Sequence, residues 1–207
     1  MAVNLTKGQG VSLKKSEHDL ATVTIGLGWD LREAPASADK NQAYDLDAVA
    51  FLCGSDGKVH DLGWDANGKA TLRDSDVVFF NNLKHRSGCI WLTGDSRAGG
   101  ARGDDEQIVA RLNDLPDAYA KVVFVVQLFE GRQRGQSFGQ VKNAHIRAVD
   151  GQGREMARFD LSGGPGFEGA RSMLFAELVR EANGWRFDAI GRVSESDTLV
   201  EWLKQYV

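Results

Sequence analysis

Apolar residues recur at every second position along most of this chain. Between Leu20 and Leu27, Ala21, Val23 and Ile25 fall on one side and Thr22 and Thr24 on the other, the alternation of a strand with one buried face. Asp45 to Cys53 predicts another strand, rich in Val49, Phe51 and Leu52. Val77 to Phe80 and Ile90 to Leu92 add short apolar runs. Lys121 to Phe129 is a nearly unbroken β-branched stretch, which predicts a strand covered on both faces. Val141 to Val149 and Glu155 to Leu161 flank Asp150-Gly151, and Ser172 to Val179 and Trp185 to Val193 flank Asn183-Gly184. Each pair reads as a hairpin. Asp65-Ala66-Asn67-Gly68 predicts a further turn.

Helical periodicity is rarer. Ile108, Val109, Leu112 and Leu115 fit a helical stripe, while Ile108, Ala110 and Leu112 fit a strand, and the pattern leaves both open. A C-terminal helix is predicted over 196–206: Ser194-Glu195-Ser196-Asp197 reads as a capping box, and Leu199, Leu203 and Tyr206 follow at helical spacing. Arg32 to Ala43 and the glycine-rich Ser162 to Ala170 read as loops, and no internal repeat emerges. Strands separated by turns, without alternating helices, predict an all-β fold: a two-sheet β-sandwich with a few short helices, in one domain spanning 1–207.

Composition supports this. The 24 glycines against 3 prolines suit many tight turns with few forced breaks. A net charge of -4 lacks the basic footprint that nucleic acid demands, so no nucleic-acid partner is expected. Cys53 and Cys89 lie in apolar surroundings without zinc or redox spacing and read as core thiols of a reducing compartment. The N-terminal stretch MAVNLTKGQGVSLKK has no apolar signal region, and no window approaches the ~18 apolar residues of a membrane span. A cytoplasmic protein without direct membrane insertion is the expectation.

The chemistry-bearing residues gather at strand ends, beside glycines. GLGWD closes a strand at Asp30, and DLDA opens one with Asp45 and Asp47, which share a face. FFNNL places Asn81 and Asn82 after an apolar run. The segment GDSRAGGARGDDEQI brings Asp95, Ser96, Asp104, Asp105 and Glu106 around four glycines. Ca²⁺ takes about six to eight oxygen ligands from carboxylates, amides, main-chain carbonyls and water, so this composition suits calcium better than zinc, which seeks His and Cys. Asp95 to Glu106 spans an EF-hand length with Gly100 at its sixth position. Arg97 and Gly99 occupy places that motif reserves for oxygen donors, which rejects it. Asp and Asn also cap turns in proteins that hold no metal.

GLGWD, DLDA, FFNNL, the glycine loop with GDDEQI, QSFGQVKNAHIRAVD and the late FAELVREANGWRF stand in the order seen in the TerD family. The chain resembles that family over roughly Val11 to Arg192. The resemblance implies a calcium-binding β-sandwich linked to tellurite resistance and stress responses. It implies that Asp30, Asp45, Asp47, Asp95, Asp104, Asp105 and Glu106 serve two Ca²⁺ ions, with oxygens added by Asn81, Asn82 and Ser96. It implies a noncatalytic role beside other Ter stress-response proteins, one of them membrane-anchored, with peripheral placement at the inner membrane through those partners. Arg97 and Arg102 depart from the more acidic or neutral loops of related chains, and cations there lower calcium affinity unless they turn outward.

Two further readings compete. Clustered Asp and Asn could hold metal ions for phosphoester hydrolysis, although no His or Lys is placed as acid or base. A Ca²⁺-assisted phospholipid- or carbohydrate-binding module is an analogy of fold alone. His18, His60, His85 and His145 lie apart and read as surface or packed residues, Ser137 lacks a nucleophile elbow, and SGGPGFEG lacks a phosphate-loop ending. The basic clusters at Arg86 and at Arg132 and Arg134 read as solvated loops. Trp29, Trp64, Trp91, Trp185 and Trp202 read as core.

Overall fold

Turns divide the chain into short strands, which a computed structural model describes over residues 3–30, 44–93, 104–160 and 166–207. The strands are β1 (Val3–Asn4), β2 (Gly10–Lys14), β3 (Val23–Gly28), β4 (Leu46–Cys53), β5 (Val77–Val78) and β6 (Ile90–Leu92). They continue with β7 (Glu106–Ala110), β8 (Lys121–Leu128), β9 (His145–Val149), β10 (Glu155–Asp160), β11 (Ser172–Glu181) and β12 (Gly184–Ser194). A single 3-10 turn covers Phe138–Gln140 between β8 and β9, and an α-helix, α1 (Leu199–Leu203), follows β12. The first sheet runs β1-β10-β9-β3-β7-β6 and the second β2-β12-β11-β8-β4-β5. The two-sheet β-sandwich predicted from the alternation is the observed architecture.

Alternation sorts the side chains. Val23, Ile25 and Leu27 of the first sheet meet Leu46, Ala48, Ala50 and Leu52 of the second in the core between the layers. The other face of β4 and β8, with Val49, Phe51, Val123 and Val125, is buried too, because α1 and the long segment between β4 and β5 cover it. All eight residues of β4 are therefore buried. Trp202 anchors the helix: its indole N–H donates to Ser172 Oγ at 2.8 Å. Burying each large apolar side chain in this outer cluster contributes roughly 1.5–3 kcal/mol.

Several local expectations are corrected. β3 begins at Val23, because Asp19 Oδ1 accepts the Ala21 N–H at 3.0 Å and turns the chain there, leaving Ala21 and Thr22 exposed. β5 and β9 are shorter than the apolar runs that predicted them, and the open segment after Glu106 is a strand. The helix does not span 196–206. Ser194 and Ser196 each close a local turn, and Thr198 is the cap, its Oγ1 accepting the Val200 N–H at 3.3 Å. β11 and β12 pair Glu181 with Gly184, so the hairpin turn is Ala182-Asn183 rather than Asn183-Gly184. Gly184 is needed for another reason: a Cβ there would lie 2.3 Å from the Leu13 carbonyl oxygen of β2. Trp64 is 60% exposed and so is not core. Strands β1 and β2 were not predicted.

Other expectations hold. The hairpin at Asp150 joins β9 to β10, and Asp65 Oδ1 closes its turn by accepting the N–H groups of Asn67 and Lys69, each at 2.9 Å. Cys53 and Cys89 are free and buried. The expected loop Arg32–Ala43 lies wholly outside the described residues, and of Ser162–Ala170 the described part, 166–170, holds no strand or helix.

Candidate metal centre

Three strand boundaries meet at one end of the sandwich. β3 ends there and runs into Trp29 and Asp30, β4 starts there at Asp45 and Asp47, and β7 starts there at Asp104, Asp105 and Glu106. Antiparallel pairing sets Leu27 opposite Glu106 and Asp47 opposite Gln127.

The carboxylates are held individually. Asp105 Oδ2 accepts the Trp29 N–H at 2.9 Å, while its own N–H donates to the Leu27 carbonyl at 2.8 Å. Glu106 is 2% exposed, and its Oε2 accepts the Ala48 N–H at 2.6 Å across the gap between the sheets. Asp47 Oδ2 accepts from Gln127 Nε2 at 3.1 Å. Asp45 lies 3.8 Å from the Arg134 guanidinium, and its carbonyl accepts the Phe129 N–H at 2.8 Å. Asp30 is exposed and accepts from Asn143 Nδ2 at 2.6 Å. Asp104 binds Arg147 twice, at 2.7 and 3.1 Å, and that hydrogen-bonded pairing pushes the guanidinium further up from its ordinary value.

Period two then decides where each one faces. Glu106 points between the layers, in line with Ile108 and Ala110. Asp47 shares the outer face of the second sheet with Val49 and Phe51. Asp104 lies over Gly26 on the outer side of the first sheet, where a Cβ would sit 2.1 Å from its carboxylate. The acidic residues thus share an end but not a direction. Among the described residues, no three His, Cys, Asp or Glu side chains cluster closely enough to hold a metal. Asp95 and Ser96 lie outside the described residues, as do Arg97 and Arg102.

The amides separate similarly. Asn82 is buried and its Nδ2 donates to the carbonyls of Val77 at 2.7 Å and Ser75 at 3.4 Å, which closes the turn after β5. Asn81 is exposed. Gln127, Asn143 and Arg147 were not singled out from the sequence, and Arg134, read as part of a solvated loop, instead faces Asp45 and Glu130. Gln127 carried a signal, as the one polar residue in the run Val122–Leu128. In chemical type the donor set is oxygen throughout, which fits a hard divalent cation and not a thiolate- or imidazole-seeking one.

A second polar cluster sits at the other end of β4. Asp76, 1% exposed, accepts from His85 Nε2 at 3.1 Å, Tyr119 Oη at 2.9 Å, Arg86 Nη2 at 3.0 Å and the Asp61 N–H at 3.0 Å. Arg86 also binds Asp61. Ser87 Oγ stands 2.8 Å from His85 Nδ1, but it also accepts the Cys89 N–H at 3.2 Å. These bonds pin the segment before β5 to the turn before β6. The cluster fastens loops.

Comparison with known proteins places this geometry. The TerD domain profile matches residues 1–206. The chain is 58% identical over 213 residues to tellurium resistance protein TerX of Serratia marcescens, covering 100% of both. It is 42% identical over 193 residues to tellurium resistance protein TerD of the same organism, covering 93% of this chain and 91% of that one. A solved homologue of telluride resistance protein (TerD) from Streptomyces coelicolor superposes with a TM-score of 0.63 over 90% of this chain and 98% of its own, at 23% identity, a likeness of fold.

Proposed function

Because the chain belongs to the TerD family of tellurium-resistance and stress-response proteins, we propose that it is a noncatalytic Ca²⁺-binding module that acts through protein partners. The observation that carries the calcium part is the gathering of Asp30, Asp45, Asp47, Asp105 and Glu106 from three strand boundaries at one end of the sandwich. These residues would contribute oxygens to two ions, with further donors from Asp95 and Ser96. Calcium there would offset the mutual repulsion of the carboxylates and stabilise that end as a surface for other Ter proteins. Such a surface, presented to a membrane-anchored partner, would place the module at the inner membrane without inserting it.

Isothermal calorimetry of the full chain against Ca²⁺ and Mg²⁺ tests this. Calcium should bind in preference, and Asp47→Asn combined with Asp105→Asn should abolish the heat. An undiminished Ca²⁺ isotherm in the double variant would remove the assignment.

A further inference from the structure

A groove of about 460 Å³ opens on the outer side of the second sheet, beside the start of α1. Leu72, Phe80, Phe129, Leu199 and Val200 wall it, and Gln127 lines it from the sheet. Val200 is 45% exposed, so the apolar surface continues outward.

Packing leaves three of its features unexplained. Gln127 is 5% exposed, and its Nε2 donates to Asp47, which fixes the amide with Oε1 as the acceptor. That oxygen is buried and lacks a hydrogen-bond partner among the described residues. A buried amide oxygen calls for a donor. The ionisable groups of the described lining are Glu130 and Asp197, both acidic. The backbone is also held unusually there: Leu72 and Glu130 adopt φ of 59° and 52°, which L side chains rarely adopt.

We propose that this groove docks a segment of a partner protein that presents an arginine flanked by apolar residues. The apolar residues would cover Leu72, Phe80 and Val200. The guanidinium supplies N–H donors for Gln127 Oε1 and a positive charge facing Asp197, while Glu130 is already paired with Arg134. Its planar cation also suits the aromatic walls. The protein itself shows the pairing at the rim, where Arg134 lies over the Phe129 ring at 5.2 Å and donates to Glu130 at 3.2 Å. An acidic segment meets repulsion at the same place. This deepens the partner-mediated part of the proposed function and rests on it, but it does not need the calcium part.

The test is fluorescence polarisation of the full chain with a labelled decapeptide of alternating Leu and Arg, measured with Ca²⁺ and with chelator. Comparison peptides replace each Arg by Glu or by the neutral isostere citrulline. The Arg peptide should bind saturably and the Glu peptide should not. Citrulline and the variant Val200→Lys should each weaken binding at least tenfold, and Gln127→Leu severalfold, with far-ultraviolet circular dichroism unchanged. Val200 is exposed, so lysine there leaves folding intact. Equal affinity for the Arg and Glu peptides, no saturable binding, or full affinity in Val200→Lys would each overturn the proposal. Calcium calorimetry on the same preparations separates the two readings, because peptide binding can fail while Ca²⁺ uptake persists, and the reverse.

Discussion

Glu106 of the first sheet accepts the backbone N–H of Ala48 of the second at 2.6 Å, so a buried carboxylate spans the sandwich at its acidic end. Sandwich layers usually meet through apolar side chains alone. Here a charge-assisted hydrogen bond sets their spacing beside Asp47 and Asp105.

Glu106→Gln should lower stability by about 1.5–3 kcal/mol, the usual worth of a hydrogen bond to a charged group. Urea unfolding in chelator would show a lower midpoint with an unchanged slope. A wild-type midpoint would mean that the bond adds nothing to folding.

Asp76 predicts an acid limb. Burial pushes its carboxyl up, but hydrogen bonds from His85, Tyr119 and the Asp61 N–H, with the Arg86 charge, win and hold it below 3.8. A depressed carboxyl contributes its stability above the unfolded value, and that contribution fades as pH falls through the folded one. Stability measured from pH 6 down to pH 2 should therefore fall less steeply in Asp76→Asn than in the wild type. Asp76→Ala, which strands the buried His85 and leaves Arg86 to Asp61, should cost about 3–5 kcal/mol at pH 7.

Cys53 predicts an alkaline limb. Burial pushes its thiol from 9.0 up to about 12, with Lys121 opposing. Below pH 9.0 the thiol stays protonated in both states and its contribution is complete. Between that value and about 12 the unfolded chain ionises first, so stability falls. Cys53→Ala should flatten the fall in a denaturation series from pH 8 to 10.5. In the folded protein at pH 8, Cys53 should resist thiol reagents until denaturant is added.

Trp202 predicts a large loss from a single side chain. It fills the outer cluster, donates to Ser172 and carries Arg192 over its ring at 5.2 Å. Trp202→Ala should cost about 3–5 kcal/mol, read from thermal or urea unfolding. Removing residues 198–207 should uncover Phe51, Val123 and Leu174 and raise the fluorescence of an apolar dye such as ANS. A truncated chain that stays dark would show that the helix is dispensable cover.

Much of this fold was legible because period two survives wherever one face meets the core, as in Val23, Ile25 and Leu27. The nearly unbroken run Lys121–Phe129 correctly announced a strand covered on both sides. What covers it was legible only in part, since the helix was read several residues too long and the segment after Cys53 carries no periodicity. β1 and β2 escaped because neither carries an apolar run to announce it, and pairing with β10 and β12 is what specifies them. At the acidic end the motifs named residues that share a location. They could not reveal that Asp104, Glu106 and Asp47 face three ways, because a bend at Asp105 breaks the parity between its neighbours. Nor does any motif mark the Arg147 and Arg134 contacts, which come from distant strands and loops.

The pairing of β2 with β12 sets a timetable for biosynthesis. Ser12 lies beside Arg186, so this segment must wait while about 170 further residues are made before its neighbour exists. At roughly 5–20 residues per second that wait is on the order of ten to thirty seconds. Residues 10–14 spend it as an unclaimed edge, and the charges of Lys14 and Lys15 beside them discourage pairing with a neighbouring nascent chain.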